Sequence, residues 1–306
     1  MSSVQTASVM PIPAIHPPAW RDYLTLTKPR ITAMCLMMTA GGYWLAMSRF
    51  SGLHLLWTLL GSAAVVAGSC VLNMYAEREN DKKMRRTAQR PLPAGRMAAW
   101  KALVFGVVLS LAGTALLAVF VNVLTASLGA IALFSYVGLY TPLKRKTSLF
   151  LLIGTIPGAM PPLMGWTAAT GAIELPGMML FFVLLAWQLP HFLALSLVCE
   201  RDYEQGGIQI VSLVRGERNA RLQALFYSVI LLVVSLALVP FKVAGWFYFF
   251  AALGLGVWFL AIALQGLSAS APKHWAHRFF YASLIYLPAL TGALMIDAMI
   301  RFSYGA

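Results

Sequence analysis

The chain has 306 residues, of which 60% are apolar and 11% charged, whereas soluble domains carry about 25% charged residues. Its 23 basic and 10 acidic side chains cannot cover a soluble protein of 33.4 kDa without leaving very large apolar patches, and the mean hydropathy of +0.76 agrees. The composition excludes an ordinary soluble protein and gives an all-α, polytopic membrane protein, so the net charge of +13 speaks to membrane topology rather than to nucleic acid.

Residues 1–22 hold several prolines and no long apolar core. They resemble neither a cleaved secretory signal nor an Arg-rich transit peptide, so a polar arm is expected there and a single membrane domain over 23–306. A bilayer span needs about 17–25 apolar residues. Nine stretches meet that need, near 31–48, 54–75, 98–118, 123–140, 149–168, 177–197, 223–241, 244–265 and 279–300. The expected architecture is about nine transmembrane helices around a central cavity. Gly154, Pro157, Gly158, Pro161 and Pro162 are positioned to bend or interrupt the fifth span.

With the N-terminus in the cytoplasm, twenty of the 23 Lys and Arg residues fall in cytoplasmic segments, leaving Arg49, Lys242 and Arg301 on the other side. That imbalance is the one the positive-inside rule demands. Two of the cytoplasmic loops, 76–97 and 198–222, are long and polar, and chemistry is sought there because loops on a rigid scaffold commonly carry reactive groups. Each half of the chain, 31–140 and 149–265, places such a loop after its second helix, an echo that suggests two similar bundles. Cys35, Cys70 and Cys199 are too scattered for a disulfide framework or a Cys-x-x-Cys site.

The first long loop follows SCVLNMYAERENDKKMRRTAQRPLPAG. Asn73, Glu77 and Asp81 are spaced i, i+4, i+8, each rotated about 40° from the last, and share one helix face. Oxygen donors gathered at the end of a span suit Mg²⁺, which binds through one or two carboxylates plus substrate phosphates. Glu79 points to the opposite face, while Arg78, Lys82, Lys83, Arg85, Arg86 and Arg90 offer phosphate contacts. Spacing alone leaves another reading open: a juxtamembrane loop whose charges only mark topology, with local pairing such as Glu79 with Lys83. Asn73 discriminates, because an amide in an apolar span needs either a ligand or an interhelical hydrogen bond.

The second loop follows AWQLPHFLALSLVCERDYEQGGIQIVSLVRG. Asp202 is expected to hold a second cation or to orient Tyr203 and a phosphate-binding Arg. Glu200 and Glu204 read equally as solvated charges, since alternate positions cannot all face one cavity. Gly206 and Gly207 would end the helical turn and allow a close backbone approach. His191, two turns earlier in an apolar run, calls for hydrogen-bond partners or a ligand, and both readings stay open. His16, His54, His274 and His277 carry less information, and none has zinc-like spacing.

These segments strongly resemble the protoheme IX farnesyltransferase family within the intramembrane aromatic prenyltransferase superfamily, over roughly residues 20–300. Asn73, Glu77, Asp81, Lys83, Met84, Arg86, Thr87, Arg90, Pro91 and Leu92 match the family's first motif in register, with Glu77 standing where the family usually has Asp. A second match runs from Tyr140 through Pro-Leu-Lys-Arg-x-Thr to Gly171, and a third covers Trp187, Pro190, His191, Phe192, Arg201, Asp202 and Tyr203. At Gly207-Ile208-Gln209 the family often has Gly-Ile-Pro, which questions the local loop shape.

The resemblance implies a farnesyl diphosphate held by Mg²⁺ near Asn73, Glu77 and Asp81, with Asp202 on the opposite wall. It implies transfer of the farnesyl group to a vinyl group of heme b with water added, heme b being a substrate and not a permanent cofactor. Lys83, Arg86, Arg90, Lys144, Arg145, Arg201 and Tyr203 become contacts for diphosphate or heme propionates, and His191 a contact for the heme. It further implies a bacterial inner membrane with the active-site loops on the cytoplasmic side, contact with membrane lipid, and heme A synthase or terminal-oxidase assembly proteins as partners. The rival readings are a prenyltransferase with another aromatic acceptor, a transporter for an anionic amphiphile and a non-catalytic heme scaffold. The first would lack the PLKR and PHF segments, and the second has no need of the Asn73, Glu77, Asp81 face.

Overall fold

The computed structural model describes residues 20–47, 50–268 and 274–304. Most of the expected polar arm, with His16, lies outside the described residues, as do Arg49 and Lys273. Among the described residues the protein is all-α. A short α1 (Trp20–Leu26) precedes α2 (Pro29–Ala46), α3 (Gly52–Asp81), α4 (Ala99–Phe120) and α5 (Val123–Phe134), which runs through a π-helical turn (Ser135–Tyr140) into α6 (Thr141–Leu143). The second half holds α7 (Phe150–Thr170), α8 (Leu175–Val198), the short α9 (Glu200–Gln205) and α10 (Val211–Arg215), then α11 (Glu217–Ala237), α12 (Trp246–Gln265) and α13 (Trp275–Tyr304).

Seven of these helical segments are long and apolar enough to cross a membrane by length and composition: α3, α4, the α5–α6 run, α8, α11, α12 and α13. Helices α2 and α7 occupy the first and fifth expected spans but are not among these seven, α2 beginning with Pro-Arg and α7 carrying Pro157, Pro161 and Pro162. The prolines do not interrupt α7, which stays helical from Phe150 to Thr170. Neighbouring helices in a membrane can support such proline positions, and α2 packs closely on this one. A Cβ added at Gly42 would sit on the carbonyl oxygen of Pro162, and one at Gly165 on that of Thr39.

The α3–α4 pair uses the same device. Added Cβ atoms at Gly61, Gly68, Gly106 and Gly113 would each collide with the facing helix. Lipid tails are as apolar as leucine, so helices in a membrane associate through close packing of small residues rather than through hydrophobic burial. Large side chains such as Leu111, Val233 and Phe250 point outward. Each half of the chain thus runs helix, helix, loop, helix, helix, and α7 packs against α2, α5 and α8.

Hydrogen bonds gather the basic segments at one end of the bundle. Arg96 pairs with Asp22 of α1 at 3.0 Å, Lys144 with Glu77 at 2.8 Å, and the amide of Gln209 donates to the carbonyl of Lys144 at 2.9 Å. Lys242 and Arg301 meet at the opposite end, around one cleft.

Candidate active site

The last two turns of α3 carry Asn73, Glu77 and Asp81 on one face, as their spacing requires. Asn73 and Asp81 are each only 1% exposed, which for an amide and a carboxylate demands partners. Asn73 has three: its Nδ2 donates to Thr141 Oγ1 at 3.0 Å, and its Oδ1 accepts from Lys28 Nζ at 3.0 Å and from Tyr136 OH at 3.3 Å. Asp81 accepts from Arg90 at 2.7 Å, and its backbone carbonyl accepts from Thr87 at 2.9 Å. Residues 82–98 therefore fold back over the end of α3, with Met84, Thr87 and Leu92 buried beneath the exposed Lys82, Lys83, Arg85 and Arg86.

The π-helical turn builds the facing wall. It closes with the amide of Thr141 donating to the carbonyl of Tyr136 and sets Tyr136 and Tyr140 in a stack 5.3 Å apart. Such one-turn widenings recur at functional sites. Lys144 then lies 4.5 Å over the Tyr140 ring while reaching Glu77 Oε1. Burial opposes the charge on Lys144, but Tyr140 and Glu77 outweigh it and hold the ammonium above the usual lysine range. Burial holds Lys28 below that range, and Arg90 and Lys144 add to the effect. Among the described residues Lys28 has no carboxylate within ion-pair distance, and its ammonium donates to the amide oxygen of Asn73.

The third wall is α9 and the turn after it. Asp202 Oδ2 accepts from the backbone amide of Arg86 at 3.3 Å, and the Arg86 guanidinium lies 5.8 Å over the Tyr203 ring. Burial raises the Tyr203 hydroxyl above its usual range. Gly206 packs against Met84 so closely that a Cβ would strike its sulfur, and Gly207 takes φ 66° to end the turn. The two loops are thereby brought together, with the segment around Lys144 between them.

Other expected site residues stand differently. Lys83, Arg145 and Arg201 are exposed and make no ion pair among the described residues. His191 Nδ1 pairs with Ser283 Oγ of α13 at 2.7 Å, and its ring stacks on Trp187 at 4.6 Å and on Phe280 at 5.1 Å. Glu79 is 66% exposed and pairs with Lys82 at 2.8 Å, not with Lys83, because α3 ends at Asp81 and the i,i+4 geometry ends with it. Among the described residues no three His, Cys, Asp or Glu side chains converge as a metal cluster. The oxygen donors here are two carboxylates, each with its second oxygen outside the pairs with Lys144 and Arg90, and the amide oxygen of Asn73, which Lys28 and Tyr136 already engage. Sequence reasoning missed Lys28, counted only as a topology marker, and the Tyr136–Thr141 turn, whose π geometry has no simple residue signature.

These elements make a membrane-type helical bundle with carboxylates and cations concentrated at one end. The chain belongs to the UbiA prenyltransferase family, whose profile matches residues 35–285. Among curated relatives it is 43% identical to the protoheme IX farnesyltransferase of Myxococcus xanthus over 92% of this chain and 95% of that one. It is 48% identical to the protoheme IX farnesyltransferase of Sorangium cellulosum over 78% and 86% of the two chains. Among solved structures, a digeranylgeranylglyceryl phosphate synthase superposes with a TM-score of 0.77 at 20% identity, covering 91% of this chain and 98% of that one. A UbiA homolog from Archaeoglobus fulgidus bound to DMAPP and Mg²⁺ gives 0.64 at 16% identity, over 90% and 99%. At these identities the structural likeness concerns the fold.

Proposed function

We propose that the chain transfers the farnesyl group of farnesyl diphosphate to a vinyl group of heme b, with addition of water, giving heme O and diphosphate. The observation that carries this reading is the buried Asn73, Glu77, Asp81 face ringed by Lys28, Arg90 and Lys144. The near-full-length likeness to protoheme IX farnesyltransferases selects heme as acceptor and farnesyl as donor.

The allylic C–O bond breaks with its electron pair leaving on the diphosphate. Lys28, buried and without a carboxylate partner among the described residues, is set to meet that charge, with Lys144 and Arg90 beside it and Arg86, Lys83, Arg145 and Arg201 on the loops above. Preorganised cations aimed at developing charge supply a large share of such catalysis. The farnesyl carbon, left electron-poor, is attacked by the vinyl π electrons, and water adds to the resulting heme-side cation with loss of a proton. Apolar surroundings keep water from the farnesyl cation first. Tyr203 and Asp202 orient the Arg86 side of the diphosphate, and His191, held by Ser283, positions the heme.

The donor set of Asn73, Glu77 and Asp81, with Asp202 across from it, suits a hard divalent cation in its chemistry. When bound there, Mg²⁺ would neutralise charge on the diphosphate. The same proposal includes nine membrane spans, counting α2 and α7, around a central cavity within one domain over 23–306. It sets the loop end in the cytoplasm and the chain in a bacterial inner membrane. The product would pass to a heme A synthase or an oxidase assembly protein.

The test is product identification. Purified protein given reduced heme b, farnesyl diphosphate and Mg²⁺ should yield a more apolar heme bearing a hydroxyethylfarnesyl group by chromatography and mass spectrometry. Prenylation of another aromatic compound, with none of this product, would overturn the heme assignment. For topology, reporter fusions after Arg96 and at Ala306 should signal from opposite sides.

A further inference from the structure

At the end opposite the carboxylate site, a cleft of about 210 Å³ opens between the ends of α2, α8 and α13. Leu45, Leu180 and Leu294 also line a neighbouring, narrower apolar crevice of about 60 Å³, whose other walls include Gly41 and Tyr248. The Tyr248 hydroxyl is buried and meets no hydrogen-bond partner among the described residues, while Ser235 is engaged with Tyr286 at 3.3 Å. Few cations belong to this end of the molecule, yet both Lys242 and Arg301 line this one cleft.

The two are not equivalent. Arg301 donates to the carbonyl of Val243 at 2.6 Å and faces Asp297 Oδ2 at 3.0 Å. That carboxylate also accepts from the amides of Gly245 at 2.7 Å and Tyr248 at 3.2 Å, so it is fixed in place and compensates Arg301. Glu174, the other acid at this end, is exposed and accepts from Trp166 at 2.8 Å. Lys242 is exposed, has no ion pair among the described residues, and is held at φ 61°, a backbone conformation unfavourable for a side chain with a Cβ.

We propose that this cleft binds an anionic phospholipid, its phosphodiester on Lys242 beside Arg301 and one acyl chain in the apolar crevice. One uncompensated cation matches the single charge of a phosphodiester. A diphosphate would call for more cations, and those are gathered at the other end. A soluble anion would have no use for the crevice, and a zwitterionic lipid would bring its own ammonium to a cationic mouth. Trp166 and Phe302 flank the cleft, as aromatic side chains do at the headgroup level. The inference rests on the membrane fold and not on the farnesyl reaction.

Native mass spectrometry of the purified full chain, incubated with equal phosphatidylglycerol and phosphatidylcholine of matched acyl chains, tests it. The wild type should retain the anionic lipid preferentially. Lys242→Asn tolerates the left-handed backbone but removes the charge, and should cut that preference about fivefold, the factor for one lysine near an anionic lipid surface. Lys242→Arg should keep the preference, which separates charge loss from misfolding, and turnover at saturating substrate should be unchanged in both variants. Equal retention of the two lipids by the wild type, an unchanged preference in Lys242→Asn, or displacement of the lipid by inorganic phosphate or farnesyl diphosphate would overturn the proposal.

Discussion

The two polar loops look alike in sequence, each an acidic cluster with interleaved basic residues after a long apolar run, and they are built differently. On the first, Asp81 is 1% exposed and locked to Arg90, and Glu77 is tied to Lys144 with the two side chains 13% and 15% exposed. On the second, Glu204 is exposed, and among the described residues the Asp202 carboxylate accepts one hydrogen bond, at 3.3 Å from the backbone amide of Arg86. The first loop is fixed by buried ion pairs, whose partners are costly to separate. The second is joined to it by one weak hydrogen bond, a ring contact and the packing of Gly206 on Met84. The α3 carboxylates are preorganised by ion pairs, whereas the α9 carboxylate is held by a weaker contact and the loop behind it is anchored by the buried Ile208, Ile210 and Val211.

The largest effect should therefore come from the α3 wall. Asp81→Asn should lower kcat by about 10²–10³-fold, the range for removing one preorganised electrostatic contact, and Glu77→Gln should act in the same direction. Because Asp81→Asn also leaves Arg90 with a neutral partner, thermal unfolding must be followed alongside turnover. Wild-type turnover and Mg²⁺ dependence in both folded variants would remove this wall from the site. Asp202→Asn should cost about tenfold in kcat/KM, since a charge-assisted hydrogen bond gives way to a neutral one, and its melting temperature should stay near that of the wild type. A loss as deep as that of Asp81→Asn would erase the contrast between the two walls.

How much of this was legible in the sequence follows from the same contrast. Regular features were readable: apolar run lengths give the long helices, and i, i+4, i+8 spacing gives the face of Asn73, Glu77 and Asp81. The convergence of the two loops was implied by both lying on the basic side. What did not show is what depends on contacts distant in sequence or on irregular backbone. Lys28 meets Asn73 across 45 positions, and only the folded bundle tells a topology marker from a cation buried beside the α3 face. The Ser135–Tyr140 turn departs from α geometry without a distinctive residue, and prolines that should disturb α7 are accommodated by packing against α2. The hydrogen bond of His191 to Ser283 spans 92 positions.

His191 sharpens the comparison at an intermediate level, because it sits on α8, the helix leading to the α9 wall. Its ring is stacked between Trp187 and Phe280, and aromatic contacts of that kind are each worth roughly 0.5–1.5 kcal/mol. His191→Ala should raise KM for heme about fivefold while leaving KM for farnesyl diphosphate unchanged. A purely structural histidine would instead lower stability and move both constants together, so steady-state kinetics in each substrate distinguish the two.

The smallest effect should fall on Glu79, two residues from Glu77 on the same helix. A step of two residues turns a helix by about 200°, so the two glutamates leave α3 on opposite sides. Glu77 reaches Lys144 at 2.8 Å in a largely buried pair. Glu79 meets Lys82 at 2.8 Å and Arg78 at 3.8 Å, where it is 66% exposed. Exposed pairs of this kind contribute little, and salt screens them further. Glu79→Gln should leave kcat, KM and the melting temperature close to wild type, with any residual change vanishing at higher ionic strength. Glu77→Gln, the same chemical change two positions earlier, should keep its deficit at every salt concentration because its partner is shielded from solvent. If Glu79→Gln reduced turnover as much as Glu77→Gln, facing direction would not be what assigns these carboxylates, and the α3 wall would have to be redrawn around the whole acidic cluster.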